Sequence, residues 1–194
     1  MKSLIEFLAA FFRKAPEPIK AEPVITNDAT LPSTPTRQRV NPKAIGGVAG
    51  AAVIAAATVL IAQWEGLRLV AYDDGGGVWT ICYGHTKGVK QGDVATKQQC
   101  IDWLQEDIAE HSAGMRQCAT VPYKENEEIA HLSLVFNIGV SAYCGSSALR
   151  KHNAGEPDAG CDLMKLWIKD NGKTIPGLVS RRNAESIICK KGTQ

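Results

Sequence analysis

The chain has 194 residues, with 22 Lys and Arg against 20 Asp and Glu and a net charge of +2. That length fits one domain with appendages, and so small a net charge argues against a dedicated nucleic-acid binder. The basic excess sits at one end: residues 1–43 hold seven basic and four acidic side chains, which leaves the remainder of the chain at −1.

In Met1–Phe12, Leu4, Ile5, Leu8 and Phe12 can share one side of a short helix. It reads as a frayed helix in a tail, the alternative being contact with a membrane surface or a partner. Pro16–Pro42 is rich in Pro, Thr, Glu and Ala without an apolar period, the composition of an extended, disordered linker. Ala44–Ala62 carries no charge and is about long enough to span a bilayer. It follows Arg37, Arg39 and Lys43, so the excess of basic residues puts the N-terminus in the cytoplasm and exports the rest. A forty-residue polar tail ahead of it is unusual for a cleaved signal peptide, which favours a signal anchor over residues 44–63. Ala and Gly dominate this segment and contribute little transfer free energy, so it would be only marginally held in lipid. A permanent anchor, with Gly46 and Gly50 serving helix association, is the alternative.

Leu67–Tyr72 and Val78–Tyr83 are apolar or aromatic runs of strand length, separated by Asp73-Asp74-Gly75-Gly76-Gly77. Glycine supplies the positive φ of a tight reversal, so the stretch predicts a hairpin. It would bring Thr80 back beside Asp74, with Glu65 just ahead of the first strand. Two carboxylates and a hydroxyl facing one gap suit glycoside hydrolysis. Asp73 is the rival of Asp74, but neighbours on a strand point to opposite faces, which assigns Asp73 to the surface.

Glu65, the following Gly66-Leu67-Arg68-Leu69, Tyr72-x-Asp74, the glycine turn, Thr80-Ile81 and Gly84-His85 closely resemble the catalytic region of phage-type lysozymes, glycoside hydrolase family 24. The resemblance implies that Glu65, Asp74 and Thr80 form a catalytic triad, with inversion at the anomeric carbon. Glu65 would be the general acid, protonated near neutral pH in a partly desolvated pocket. It would donate to the oxygen linking N-acetylmuramic acid to N-acetylglucosamine, while Asp74 and Thr80 hold or activate water on the opposite face. The Ala/Gly-rich segment separately resembles the signal-anchor-release helices of certain lambdoid phage endolysins, which insert and then leave a depolarised membrane. Glu65 lies two residues beyond Gln63, so tethering is expected to keep the site unassembled or far from substrate.

All six cysteines, Cys82, Cys100, Cys118, Cys144, Cys161 and Cys189, lie on the exported side. An even count in an oxidising compartment reads as disulfides. Fifteen pairings are possible and spacing does not choose among them; neighbours in order, Cys82–Cys100, Cys118–Cys144 and Cys161–Cys189, is the preferred set. A metal at Cys82-x-x-His85 is the alternative, without a second Cys/His pair at zinc spacing. No metal and no cofactor are expected.

Thr96 is an N-cap candidate for a helix with Ile101, Trp103, Leu104 and Ile108 apolar and Glu106, Asp107 and Glu110 on its solvated side. A helix over about 124–138 would turn Ile129, Leu132, Val135 and Phe136 inward and end at Gly139. Phe136-Asn137-Ile138-Gly139 resembles the family's Phe-x-x-Gly at the cleft floor, which makes Phe136 and Asn137 sugar-contact candidates, with core packing as the alternative. Ser146-Ser147-Ala148-Leu149-Arg150 resembles the family's Ser-x-Leu-Arg/Lys helix start. Residues 159–168 are expected to be helical with Leu163, Leu166 and Trp167 inward. Gly177-Leu178-x-x-Arg181-Arg182-x-x-Glu185 resembles the lambdoid Gly-Leu-x-x-Arg-Arg-x-x-Glu. It makes Arg181 and Arg182 candidates for substrate or for pairing with Glu65 or Asp74, with an internal Arg182–Glu185 pair as the alternative.

The expected architecture is α+β and lysozyme-like: a small hairpin lobe, a larger helical lobe and a cleft between them. A tail (1–43) and a signal-anchor helix (44–63) precede the muramidase domain (64–194). The expected partners are peptidoglycan and, through residues 44–63, the host inner membrane; the enzyme domain would be periplasmic and monomeric once released. A wall-binding module without activity, a holin-like membrane protein and a lytic transglycosylase are the competing functions.

Overall fold

The computed structural model describes residues 47–191. The tail with its amphipathic stretch, residues 44–46 of the apolar run and the last three residues lie outside the described residues. Helix α1 (Gly47–Glu65) runs into a two-stranded antiparallel sheet, β1 (Arg68–Asp73) and β2 (Trp79–Cys82), and then come α2 (Lys97–Cys118) and α3 (Glu125–Ile138). Short helices α4 (Val140–Cys144), α5 (Ser147–Asn153) and α6 (Pro157–Leu163), a 3₁₀ turn (Met164–Leu166), a second hairpin β3 (Lys169–Asp170) and β4 (Lys173–Thr174), and α7 (Pro176–Lys190) complete it.

The apolar helix is part of the domain's core. In α1, Val53, Ile54, Ala57, Thr58, Leu60 and Ile61 are buried against α2 and α3, while Ala51, Ala52, Ala55, Val59 and Gln63 face outward. That is a helical stripe at i, i+3/i+4, i+7 spacing, although the sequence is apolar all round. Alanine on the outer face explains how such a helix tolerates water: it exposes little apolar area there. The Thr58 hydroxyl donates to Ile54 O at 2.7 Å, within its own helix, so its burial leaves no donor unpaired. Burying Val53, Ile54, Leu60 and Ile61 is worth roughly 1.5–3 kcal/mol per side chain, about 6–12 kcal/mol together as an upper estimate. That is on the order of a whole domain's stability of about 5–15 kcal/mol, so α1 cannot leave without unfolding the lobe. The boundary expected between residues 63 and 64 falls inside this helix. No helix among the described residues is long and apolar enough to cross a membrane.

The main core gathers Leu104, Ile108 and Met115 of α2, Ile129, Leu132, Leu134 and Val135 of α3, Tyr143, Leu149 and Ile188. A second cluster under the first hairpin joins Ile81, Cys82, Ala95 and Cys100, with Leu69, Ala71 and Trp103 alongside. Thr96 caps α2 in a full capping box with Gln99, Gly139 ends α3 at φ 82°, and Ser146 caps α5 through Leu149 N. The helix expected over 159–168 is shorter: α6 stops at Leu163, a 3₁₀ turn follows, and Leu166, expected inward, is 65% exposed. Leu163 and Trp167 do pack against the core. The cysteines are bonded as Cys82–Cys100, Cys118–Cys144 and Cys161–Cys189, so Cys82 has its sulfur in a disulfide.

Candidate active site

Glu65 is the last residue of α1 and is partly buried, its side chain 22% exposed. Its Oε1 accepts from Arg181 Nη1 of α7 at 2.7 Å. Arg181 is itself buried and fixed on two further sides: Nε donates to Glu185 Oε1 at 3.0 Å and Nη2 to Ser133 O of α3 at 3.1 Å. Ser133 Oγ donates to the same Glu185 oxygen at 2.6 Å. Arg182, with no exposed surface, donates from Nη2 to Asn137 Oδ1 at 2.7 Å. Its Nη1 stands 3.1 Å from Glu185 Oε2 as an ion pair without hydrogen-bond alignment. Burial pushes the Arg182 guanidinium down to about 10, against the opposing pull of Glu185. Burial pushes the Glu185 carboxyl up, opposed by Arg182, Arg181 and the Ser133 hydroxyl.

The first hairpin carries the other two residues. Its register pairs Tyr72 with Thr80 and Asp73 with Trp79, and Asp74 N donates to Val78 O at 3.2 Å. Thr80 therefore lies opposite Tyr72, two residue pairs along from the position expected beside Asp74. By alternation, Asp74, Val78, Tyr72 and Thr80 share one face, and Asp73 goes to the other with Trp79. Asp74 Oδ1 accepts from Gly76 N at 2.7 Å and Val78 N at 3.2 Å, which fixes the carboxylate across the turn. Asp73 Oδ1 does the same with Gly75 N and Gly77 N. Gly75 and Gly77 take φ of 90° and 82°, the left-handed values such a turn demands. Thr80 is buried and donates to Val78 O at 3.3 Å.

The four residues expected at the substrate are divided. Asn137 is exposed and held by Arg182, and Phe136 is half-buried against the main core and the His111 ring. Arg181 and Arg182 are buried, the first holding Glu65 and the second Asn137. Ser133 is a member that the sequence reading missed, since a serine on an apolar helix face carries no signal; Glu185 was visible only as a partner for Arg182. The expected solvated face of α2 needs correction at Asp107, while Glu110 is exposed as expected. Asp107 is largely buried and sits 2.8 Å from His85 Nδ1, whose ring stacks on Trp103 at 4.9 Å, and Glu110 pairs with Lys87. These contacts fasten the hairpin lobe to the helical lobe. A groove of about 420 Å³ at Arg116, Thr120–Tyr123 and Glu128 contains none of the expected site residues.

A family model described as Phage lysozyme matches residues 62–185. An endolysin of Acyrthosiphon pisum secondary endosymbiont phage 1 is 44% identical over 135 residues, covering 67% of this chain and 92% of that one. The SAR-endolysin of Enterobacteria phage P21 is 35% identical over 159 residues, covering 78% of this chain and 96% of its own. Among solved structures, the muramidase domain of SpmX from Asticaccaulis excentricus superposes with a TM-score of 0.66 at 30% identity, covering 69% of this chain and 94% of that one. With the matched span running from the end of α1 to Glu185, the chain belongs to the phage lysozyme family and is a glycoside hydrolase.

Proposed function

We propose that the protein is an endolysin that hydrolyses the β-1,4 bond between N-acetylmuramic acid and N-acetylglucosamine in peptidoglycan, with Glu65, Asp74 and Thr80 as its catalytic residues. The observation that carries this is the attachment of Glu65 to a buried arginine at the very point where α1 gives way to the hairpin bearing Asp74 and Thr80. Glu65 gives its proton to the glycosidic oxygen. The two backbone N–H groups on Asp74 Oδ1 leave Oδ2 as the oxygen that takes a proton from water. The Thr80 hydroxyl, on the same face, orients that water. Water attacks opposite the departing sugar, the bond to the leaving oxygen breaks as Glu65 protonates it, and the configuration inverts.

The same reading gives α1 two homes. Residues 44–63 hold the newly made protein in the host inner membrane, N-terminus in the cytoplasm and enzyme portion in the periplasm. When the membrane depolarises, the segment leaves lipid and supplies the stripe of Val53, Ile54, Leu60 and Ile61 to the core. Until then the domain lacks burial comparable to its whole stability and Glu65 lacks its seat, so the tethered enzyme is silent. The SAR-endolysin relative and the alanine-rich outer face of α1 support this reading, in which the released enzyme is a monomer acting on peptidoglycan.

Digestion of purified peptidoglycan followed by mass spectrometry tests the chemistry. Reducing N-acetylmuramic acid ends, lost in Glu65→Gln and Asp74→Asn, are expected. Anhydro ends would replace hydrolysis with lytic transglycosylation, and full activity in Glu65→Gln would remove the assignment.

A further inference from the structure

We propose that Glu185 is a positioning residue for the reaction: acting through Arg181, it offsets the positive charge facing Glu65, so that Glu65 can carry a proton while Arg181 stays in place. The proposal rests on Glu65 being the general acid. A general acid in direct contact with a guanidinium is a conflict, because the neighbouring cation favours the carboxylate over the protonated form needed for catalysis. Here the guanidinium is not Glu65's alone. Arg181 Nε points to Glu185, Nη2 to Ser133 O and only Nη1 to Glu65. The contacts to Glu185 and Ser133 survive when Glu65 becomes neutral, so the arm does not swing away during turnover.

The charged groups of this cluster are Glu65 from α1 and Arg181, Arg182 and Glu185 from α7, two of each sign. From α3 come the Ser133 hydroxyl and the Asn137 amide. On the α6 side, the Lys190–Asp162 pair lies at the exposed surface. Without Glu185 two arginines would face one glutamate. Glu185 has no exposed surface, so no water can replace its charge. A residue present only to pack or to satisfy hydrogen bonds would be matched by glutamine, which has the same shape. A residue present for its charge would not.

The test follows Glu65 directly and in turnover. The side-chain carboxyl ¹³C resonance of Glu65, assigned by its loss in Glu65→Gln, is titrated in wild type, Glu185→Gln and Glu185→Asp, and kcat/KM on peptidoglycan is measured across the same pH range. In Glu185→Gln, Glu65 is expected to lose its proton about one pH unit lower than in wild type, as one removed neighbouring charge implies, with activity above that pH falling about tenfold. Glu185→Asp should return both towards wild type. An unmoved Glu65 titration in folded Glu185→Gln overturns the proposal. If the titration moves while the pH–rate profile does not, Glu185 still governs Glu65, but Glu65 is not the general acid. If Glu185→Gln does not fold, Ser133→Ala removes a hydroxyl that stabilises the Glu185 anion. It should shift Glu65 the same way by less, and no shift there refutes the proposal.

Discussion

His131 of α3 is fully buried beside Tyr143, whose hydroxyl lies 2.7 Å from Nδ1, and Nε2 has no hydrogen-bond partner among the described residues. Burial first, and the nearby His152 second, push this imidazole down from 6.5 to about 3. A histidine depressed in the folded state is neutral there while the unfolded chain takes up a proton. Its contribution to stability is therefore complete above pH 6.5 and is lost progressively as pH falls towards 3. At about 1.4 kcal/mol per pH unit, the loss at pH 5 relative to pH 8 is about 2 kcal/mol, and it reaches about 4 kcal/mol near pH 3, where the buried ring is itself half protonated. Urea unfolding with the disulfides intact, followed by far-UV circular dichroism from pH 4 to pH 8, measures it. His131→Gln removes the titrating group and keeps a polar side chain, at some cost in packing at every pH. Its stability should fall by about 2 kcal/mol less than wild type between pH 8 and pH 5. Parallel curves for the two proteins would refute the reasoning, since the buried ring would then not be the group taking up the proton.

Two further perturbations follow from packing. Leu60→Ala, at a position with no exposed surface on α1, should cost about 3–5 kcal/mol in the folded enzyme. Val59→Ala, one residue away and 51% exposed, should stay within about 0.5 kcal/mol; equal costs would deny that α1 has an inward face. Gly114 of α2 leaves no room for a methyl group, because an added Cβ would stand 2.8 Å and 2.9 Å from the two Val140 methyls. Gly114→Ala should lower the thermal midpoint through about 1–3 kcal/mol of overpacking, and Val140→Ala in the same chain should recover part of it.

The parts of the fold readable in the sequence were those whose signal is local. The glycine turn after Asp74, the Thr96 cap and Gly139 after α3 each depend on a few adjacent residues. The Asn171-Gly172 turn of the second hairpin carries the same kind of signal, with φ of 47° and 77°, but strands of two residues have no period to flank it. The inward face of α1 was not legible for a different reason. A segment apolar on all sides has no moment, so its alanines and its large side chains look alike until a neighbour selects a face. Asp107 and Ser133 illustrate the tertiary limit. An acid on a polar helix face and a serine on an apolar one acquire their roles from His85 and Glu185, which lie 22 and 52 residues away. The arginine pair was flagged by its motif, but that Arg181 takes Glu65 while Arg182 takes Asn137 depends on the docking of α7 against α1 and α3.

In the proposed function α1 serves the membrane first and the active enzyme afterwards. Loss of turbidity of a cell-wall suspension is to be measured with full-length protein in energised liposomes, before and after a depolarising agent, with Glu65→Gln as control. Silence while the liposomes are polarised, lysis after depolarisation, and no lysis by Glu65→Gln at either stage are the expected results. Lysis by the embedded protein before depolarisation would contradict the shared use of α1, and lysis by Glu65→Gln would contradict the catalytic assignment.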